Sequence, residues 1–414
     1  MKTYAELLTH TVEALNLHQT DVLQLDDDAL RELVRQGLRE QLREGRDWQI
    51  EESEQQLTQR VLDDVVGLGP LEGLLRDESV SEIMVNRYNQ IFIEQSGRLQ
   101  LSNVQFMHET ALRQVLERIV APLGRRIDAS SPMVDARLAN GSRVNAVLPP
   151  LAVAGACLTI RKFSNQRIFM ANLVDFGSIS PLLADLLEIG VKHRQNLVIS
   201  GGTGSGKTTL LNVLADHIHA GERVITIEDA AELKLHHENL VCLEARPANQ
   251  EGAGAVSIRQ LVMNALRMRP DRIVVGECRG GESLDMLQAM NTGHAGSMTT
   301  LHANTPRDAL SRLETMVLMA GLDLPLYAVR QQIAGAIQLI VQICRLANGK
   351  RVVSSLTEVR GQAGDVMQLA EIMRYNQATD QHEWTGQIPS FIDDLAESQR
   401  SELIRRLQQV SSHE

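Results

Sequence analysis

The sequence contains few aromatic residues: Phe, Trp and Tyr together make up 3% of its 414 residues. Proteins that hold single-stranded nucleic acid stack the bases on aromatic side chains along a basic groove. This chain instead has a formal net charge of −11, and an acidic total disfavours binding to a phosphate backbone. We therefore expect no nucleic acid among its partners.

Cysteine is also scarce, and long apolar runs are missing. The four cysteines, at positions 157, 242, 278 and 344, show no C-x-x-C spacing, which argues against a zinc ribbon or a disulfide framework and indicates reduced thiols. No run approaches 18 uncharged apolar residues, and the first twenty residues lack an apolar signal core. We therefore expect a cytoplasmic protein with no transmembrane segment, which reaches a membrane complex from the cytoplasmic side.

The chain is too long for one ordinary domain, and its length indicates two or three. Apolar residues at helical spacing predict helices at 28–44 and 51–66, the first of them behind an acidic run at 26–28. We assign residues 1–66 to an N-terminal helical module, which is either part of the core or a docking piece. The glycine- and proline-containing segment at 67–70 ends this module.

Residues 67–163 follow a compact α+β pattern. Asn140-Gly141 is a strong hairpin-turn signal between two short strands, and Ser96-Gly97 marks another turn. The pattern predicts strands at 83–86, 91–95, 134–138, 143–148 and 156–163, with a helix at 108–123.

A polar hinge or linker is predicted at 164–178, and a third region covers 179–414. In this region apolar strands alternate with helices, the pattern of a covered and mostly parallel sheet, followed by a C-terminal strand and helix extension. The predicted strands are 196–200, 223–229, 241–245, 272–277 and 297–303, with further strands in 337–384. The predicted helices are 181–192, 206–219, 257–268, 281–291, 306–319 and 391–410.

The segment 201–208 reads G-x-x-x-x-G-K-T and stands between a predicted strand and a predicted helix. Its glycines allow backbone N–H groups to converge on phosphate oxygens, and the helix N-terminus adds a favourable dipole. A glycine-rich turn without a ligand is the alternative, but the order strand, loop, helix favours a phosphate loop (P-loop). Lys207 is predicted to reach the β- and γ-phosphates of ATP, and Thr208 to ligate Mg²⁺. The predicted nucleotide-binding residues are Gly201, Gly202, Thr203, Gly204, Ser205, Gly206, Lys207, Thr208 and Thr209.

Two acidic segments end predicted strands at the same edge of the sheet. Glu228 lies at the end of the strand predicted at 223–229, and Glu277 is the last residue of the apolar strand predicted at 272–277. Acids at strand ends are also common as solvated loop charges. With a P-loop upstream, we interpret one of them as the residue that activates water and the other as the residue that holds Mg²⁺ through water. We favour Glu228 as the base and Glu277 as the magnesium-side acid, and the sequence leaves the reverse assignment open.

A third segment, expected at the same edge of the sheet, carries His294 and His302. No cysteine or third histidine stands at metal-ligand spacing, so a metal site is disfavoured. A lone histidine is usually structural. The functional alternative is a pair that senses the γ-phosphate by hydrogen bonding.

These motifs, in this order, resemble the secretion-superfamily ATPases of type II secretion, type IV pili and type IV secretion. The Walker A loop, "Asp box", Walker B strand and "His box" of that superfamily match 201–208, 228–232, 272–277 and 292–304. The likeness is greatest to the CpaF-type motors of Tad/Flp tight-adherence pili. It is carried by 67–75, 124–150, 158–163 and 243–282. It covers about residues 60–360, and the tetracysteine zinc module of the type II secretion relatives is missing.

The resemblance implies a PAS-like α+β domain before a RecA-like P-loop domain, with ATP and Mg²⁺ bound between them. It also implies a homohexameric ring that meets inner-membrane platform proteins, and arginines that reach the nucleotide across a cleft. The positions that match are Arg137, Arg143 and Arg161 on strands of the first domain and Arg194 before the P-loop strand. Each is equally compatible with a surface ion pair, which contributes little to stability.

Two other functions share the P-loop. A nucleic-acid motor of RecA-like architecture would need a basic, aromatic-lined channel, which the composition does not favour. A nucleotide-gated scaffold without useful turnover would not need Lys207, Glu228 and Glu277 together. The sequence does not indicate the cargo, the direction of the motor or the ring symmetry.

Overall fold

A computed structural model describes residues 3–15, 27–43, 48, 51–95, 97–163, 167–246, 248, 253–321 and 324–411. The chain divides into two compact units, residues 1–165 and 166–414. Each unit has its own apolar core.

Three helices begin the first unit: α1 (Tyr4–Ala14), α2 (Asp27–Arg43) and α3 (Glu54–Val65). The helices predicted at 28–44 and 51–66 are confirmed, except that residue 44 lies outside the described residues. Helix α1 was not predicted, although Thr3 and Glu6 form a capping box at its start. Side chains from all three helices form one small core: Leu7, Val34, Leu38, Leu57, Val61 and Leu62.

The rest of the first unit is an antiparallel sheet covered on one face by a helix. The described strands are β1 (Val80–Arg87), β2 (Gln90–Gln95), β3 (Arg98–Leu101), β4 (Met133–Arg137), β5 (Arg143–Val147) and β6 (Cys157–Arg161), in the spatial order β3-β2-β1-β6-β5-β4. The helices are α4 (Leu71–Arg76) and α5 (Glu109–Val120). The hairpin predicted at Asn140-Gly141 is confirmed, because β4 pairs with β5 and Gly141 has φ +86°. Strand β3 was not predicted, and Ser96 of the predicted turn lies outside the described residues.

The second unit is built on a mixed sheet with helices on both faces. Its described strands are β7 (Leu197–Gly201), β8 (Val224–Glu228), β9 (Leu240–Glu244), β10 (Arg272–Val275), β11 (Met298–Leu301), β12 (Leu339–Arg345), β13 (Arg351–Ala363), β14 (Val366–Asn376) and β15 (Gln381–Trp384). Their order is β15-β14-β13-β12-β7-β11-β10-β8-β9. The six strands from β12 to β9 are parallel, and β13, β14 and β15 continue the sheet antiparallel. The predicted, mostly parallel sheet is confirmed.

The helices of the second unit are α6 (Met170–Asp175), α7 (Pro181–Lys192), α8 (Lys207–Ala215), α9 (Ile258–Ala265), α10 (Glu282–Asn291), α11 (Pro306–Leu318), α12 (Leu326–Ala336) and α13 (Glu397–Ser411). Ser180 and Thr305 cap α7 and α11, and a proline follows each cap at the first helical position. Two large apolar clusters fill the two sides of the sheet. Helix α12 was not predicted.

The prediction of a polar linker at 164–178 is wrong for its second half. Residues 170–175 form α6, and Leu173 is buried in the core of the second unit. The backbone then joins the sheet, since Val353 N–H donates to the carbonyl of Ser178. Residues 164–166 of the predicted linker lie outside the described residues.

Candidate functional site

The glycine loop at 201–206 joins the buried strand β7 to the first turn of α8. Gly204 has φ +69° and Gly206 has φ +100°, a backbone region that residues other than glycine rarely adopt. Gly201 is needed for a different reason: a Cβ there would come within 2.3 Å of the carbonyl oxygen of Ile343 on β12. The loop therefore leads directly into a helix N-terminus that attracts anions.

Lys207 opens α8, and only 8% of its surface is exposed. Its Nζ donates to the carbonyl of Gly202 at 2.9 Å and lies 3.3 Å from Nδ1 of His302. The Ser205 hydroxyl donates to the same Gly202 carbonyl at 2.8 Å. Thr208 and Thr209 follow in the first turn of α8. A nearly buried ammonium at this place suits a ligand that carries several negative charges.

His302 links the lysine to an acid. Its Nε2 lies 2.6 Å from Oε1 of Glu277, which follows β10. Burial lowers the pKa of His302 and the neighbouring Lys207 ammonium lowers it further, while Glu277 opposes both effects. Because the Lys207 ammonium can only donate, Nδ1 accepts from it and Nε2 carries the ring proton. Among the described residues Oε1 of Glu277 has no hydrogen-bond partner, so Nε2 approaches this oxygen closely without hydrogen-bond geometry.

Arg279 holds the other oxygen of Glu277. Its Nε and Nη2 lie 2.9 and 2.7 Å from Oε2 of that glutamate. Its Nη1 also lies 3.9 Å from a carboxylate oxygen of Asp229. Lys207, His302, Glu277 and Arg279 thus form one continuous line of contacts. Arg279 was not predicted as a site residue, although it stands two residues after an acid at a strand end.

Glu228 ends β8 and is buried. Its Oε1 accepts from the backbone N–H groups of Glu232 and Leu233 at 2.8 and 3.0 Å. Gly276 makes room for it, since a Cβ on Gly276 would lie 2.9 Å from Cγ of Glu228. The two glutamates therefore lie at the carboxyl ends of the adjacent strands β8 and β10, at the edge of the sheet where the P-loop also lies, here called the phosphate edge.

Arg194 and His294 lie at the other edge of the sheet, because they precede β7 and β11 instead of following them. Arg194 pairs with Glu222 at 3.2 Å, and His294 Nδ1 lies 3.3 Å from the carbonyl of Ala289 in α10. The expectation that both histidines line the phosphate edge therefore fails for His294, whose segment precedes the strand that His302 follows. Within one chain, neither Arg194 nor His294 is brought together with Lys207.

A buried ion pair occupies that opposite edge. Arg272 is fully buried and binds both carboxylate oxygens of Glu222, at 2.8 and 2.9 Å. Gly296 packs against it with φ +86°, and a Cβ there would lie 2.3 Å from Nη1 of Arg272. The glycine of the histidine-bearing segment thus has a packing role.

The three arginines predicted in the first unit form a row across three strands. Arg143 on β5 lies directly opposite both Arg137 on β4 and Arg161 on β6. The alternate residues Val144 and Ile160 are buried in the core, so the arginines occupy the face turned away from it. The row therefore concentrates three positive charges on one face of this sheet.

The residues at the phosphate edge fit a nucleotide and a magnesium ion held largely by water. In the described part of the chain no cluster of three or more His, Cys, Asp or Glu residues could hold a metal. The Thr208 hydroxyl and one carboxylate beside nucleotide phosphates match the way Mg²⁺ is usually bound in P-loop proteins. Over the same described residues, every helix is too short or too polar to span a bilayer.

Comparison with known proteins places the chain in a family. Residues 64–388 match the family described as "Type II/IV secretion system protein". A putative conjugal transfer protein of Mycobacterium tuberculosis is 39% identical over 322 residues, 76% of this chain and 91% of that protein. The type IV secretion system protein VirB11 of Bartonella quintana is 30% identical over 328 residues, 70% of this chain and 91% of VirB11.

A solved structure gives the fold independently. The X-ray structure of the ATPase DotB of Legionella pneumophila has a TM-score of 0.51 to this chain, with 20% identity over 83% of this chain and 87% of DotB. The α/β architecture is accordingly that of the RecA-like secretion ATPases. The family match contains the P-loop, both glutamates and His302, and the chain belongs to the type II/IV secretion system ATPase family.

Proposed function

We propose that this chain hydrolyses ATP as a homohexameric motor of the CpaF type and powers assembly of a Tad/Flp tight-adherence pilus. The observation that carries the ATPase part is the line of contacts from Lys207 through His302 to Glu277 beside the glycine loop. The Tad/Flp part is supported by the segments 67–75 and 243–282, which resemble that subfamily.

The proposed reaction converts ATP and water to ADP and phosphate. Lys207 and the N–H groups at the head of α8 bind the β- and γ-phosphates. Magnesium neutralises phosphate charge, and Thr208 with Glu277 would hold it, the glutamate through water. Glu228 is our candidate for the base, because two backbone N–H bonds already orient its carboxylate.

His302 is proposed as the sensor of the γ-phosphate. In the structure its Nδ1 lies beside Lys207 and its Nε2 beside Glu277. When Lys207 turns to a phosphate, Nδ1 loses its donor, and the ring can then report the change to Glu277. A neutral ring is required for this exchange, and the lowered pKa of His302 is consistent with it.

The arginine row of the first unit is proposed to complete the site. Arg137, Arg143 and Arg161 would bring positive charge to the phosphates when a ring subunit closes. The helical module and the C-terminal extension would contact the inner-membrane platform proteins. We place the motor on the cytoplasmic side of that membrane.

The names of the relatives suggest conjugal transfer as an alternative to pilus assembly. The Mycobacterium tuberculosis relative is named as a putative conjugal transfer protein, and a conjugation machine would also need a motor of this kind. Deleting the gene for this chain in its host distinguishes pilus assembly from conjugal transfer. If our proposal holds, deletion removes surface pili, wild-type protein restores them and Lys207→Ala does not, while plasmid transfer is unchanged. Loss of plasmid transfer with normal pili would overturn the Tad/Flp assignment.

The biochemical arm uses the purified full chain. We expect magnesium-dependent phosphate release from ATP and a mass of six chains in the presence of nucleotide. Phosphate release by wild type no higher than by Lys207→Ala would overturn the motor proposal itself. Stimulation of turnover several-fold by DNA at low salt, with tight binding, would instead favour a nucleic-acid motor.

A further inference from the structure

Strand β12 supports the P-loop from the side. It runs parallel to β7, with Ile343 opposite Gly201, and no side chain fits between the two backbones. After β12 the chain turns at 346–350, where Leu346 N–H donates to the carbonyl of Lys350 at 2.8 Å. The turn returns the backbone beside the loop at the first residue of β13.

That first residue is Arg351, which contacts the P-loop directly. Its Nε donates to the carbonyl oxygen of Gly204 at 2.9 Å, across 147 residues of sequence. Its Cδ lies 3.4 Å from the position that a Cβ would take on Gly206. One side chain thus bonds Gly204 and lies beside Gly206, the two glycines of the loop that have positive φ.

The glycines allow the conformation of this loop but do not stabilise it. A residue without a side chain has more conformations to lose when the loop is ordered, so external contacts decide how well the N–H groups are arranged. The carbonyl of Gly202 receives Lys207 and Ser205 from within the loop. The carbonyl of Gly204 receives a cation from another strand, and a charge-assisted hydrogen bond is stronger than a neutral one.

We propose that Arg351 is a positioning residue for the nucleotide loop, which fixes the Gly204 peptide from β13 and so sets the affinity for ADP and ATP. In such a loop the N–H groups converge on the anion. The Gly204 carbonyl is turned toward β13 instead, and Arg351 therefore acts from outside the loop, without touching the phosphates. The inference rests on the proposed function, because it presumes that the loop binds nucleotide.

The test compares full-length variants by fluorescent-ADP titration and steady-state ATP hydrolysis. For Arg351→Ala we expect the Kd for ADP and the KM for ATP to rise roughly fivefold, the scale of one net hydrogen bond. The kcat at saturating ATP should stay close to wild type. Arg351→Lys keeps the charge without the guanidinium fork. Its Kd for ADP and KM for ATP should lie between those of wild type and of Arg351→Ala.

Arg374→Ala is the matched control, since Arg374 is an exposed arginine of β14 that pairs with Glu383. It should leave the Kd, KM and kcat at wild-type values. Wild-type Kd and KM for Arg351→Ala, or a lower kcat or lower melting temperature without any change in affinity, would overturn the role of Arg351 alone. Failure of the wild-type chain to bind ADP would overturn the proposed function and this inference together.

Discussion

Nζ of Lys207 lies 3.3 Å from Nδ1 of His302, although 95 residues separate the two in the chain. Strands β7 and β11 are neighbours in the sheet, and the two residues follow their carboxyl ends. The pair therefore depends on the parallel pairing of these two strands, and its chemistry yields the first predictions.

Lys207→Ala should lower ATP turnover at least a hundredfold, because the lysine is the main cation expected on the β- and γ-phosphates. Its melting temperature should stay near that of wild type, since Lys207 lies outside the apolar clusters of the core. Phosphate release and thermal denaturation measure the two effects. Lys192→Ala removes an exposed lysine of α7 and serves as the control. Turnover of Lys207→Ala within about tenfold of wild type would contradict the P-loop assignment.

His302 should make stability depend on pH. Its pKa is lowered in the folded protein from an ordinary value of 6.5, so the unfolded chain binds this proton more readily. The protonation of His302 therefore has little effect on stability above pH 6.5, and stability is lost as the pH falls through the ordinary pKa toward the lowered one. Between about pH 7.5 and 5.5 the melting temperature of wild type should fall more than that of His302→Gln. Parallel curves for the two proteins would show that His302 is not the group responsible.

Glu228 and Glu277 should fail in different ways. Glu228→Gln is expected to retain ATP with Mg²⁺ without cleaving it, because the amide keeps the shape of the side chain but cannot take a proton. Glu277→Gln is expected to raise the magnesium concentration needed for half-maximal activity. A magnesium titration of each variant, with bound nucleotide measured separately, tests both. A shift confined to Glu228→Gln would mean that the two roles are reversed.

The arginine row should affect the rate more than the affinity. Arg143→Ala and Arg161→Ala should lower kcat much more than they raise the Kd for ATP, since a cation delivered on closure stabilises charge that develops in the reaction. Such arginines contribute roughly 10³–10⁵ in rate in other P-loop enzymes. Arg98→Ala, on the exposed strand β3 of the same sheet, is the control. Unchanged kcat in both row variants would exclude the row from the reaction.

The helical module should be dispensable for basal hydrolysis and needed for partner docking, because it carries none of the phosphate-site residues. A deletion that starts at Ile50 removes α1 and α2 and uncovers Leu57, Val61 and Leu62 of α3, which favours aggregation. A second deletion that starts at Gly67 also removes α3. Phosphate release by whichever variant is soluble provides the measurement. A soluble, folded variant that hydrolyses no ATP would refute the prediction.

Local signals allowed much of the fold to be predicted. The P-loop lies at the predicted strand-to-helix junction because glycine φ angles and the helix N-terminus are properties of adjacent residues. The Asn140-Gly141 turn was predictable for the same reason. The missed helices also had local signals: Thr3 and Glu6 cap α1, and Val329, Ile333 and Ala336 stand at helical spacing in α12.

The remaining features depend on contacts between distant segments. No local pattern indicates that Arg351 reaches Gly204. His294 and His302 stand eight residues apart in one motif, yet a strand between them puts them at opposite edges of the sheet. Arg194 was expected near the nucleotide from the family resemblance, but it precedes β7, and the direction of that strand carries it away from the loop. The order of the motifs along the chain does not indicate which of these residues lie close together in the fold.

Gly296 has a further consequence for how substitutions in this family should be interpreted. Any side chain there would push against Arg272 and expose or unpair a fully buried guanidinium. Breaking such a pair typically costs about 3–5 kcal/mol, a large share of the stability of a folded domain. Gly296→Ala would thus deplete the cell of folded protein while each surviving molecule turned over normally. A screen that scores only cellular phenotype would count this structural glycine as part of the ATPase machinery.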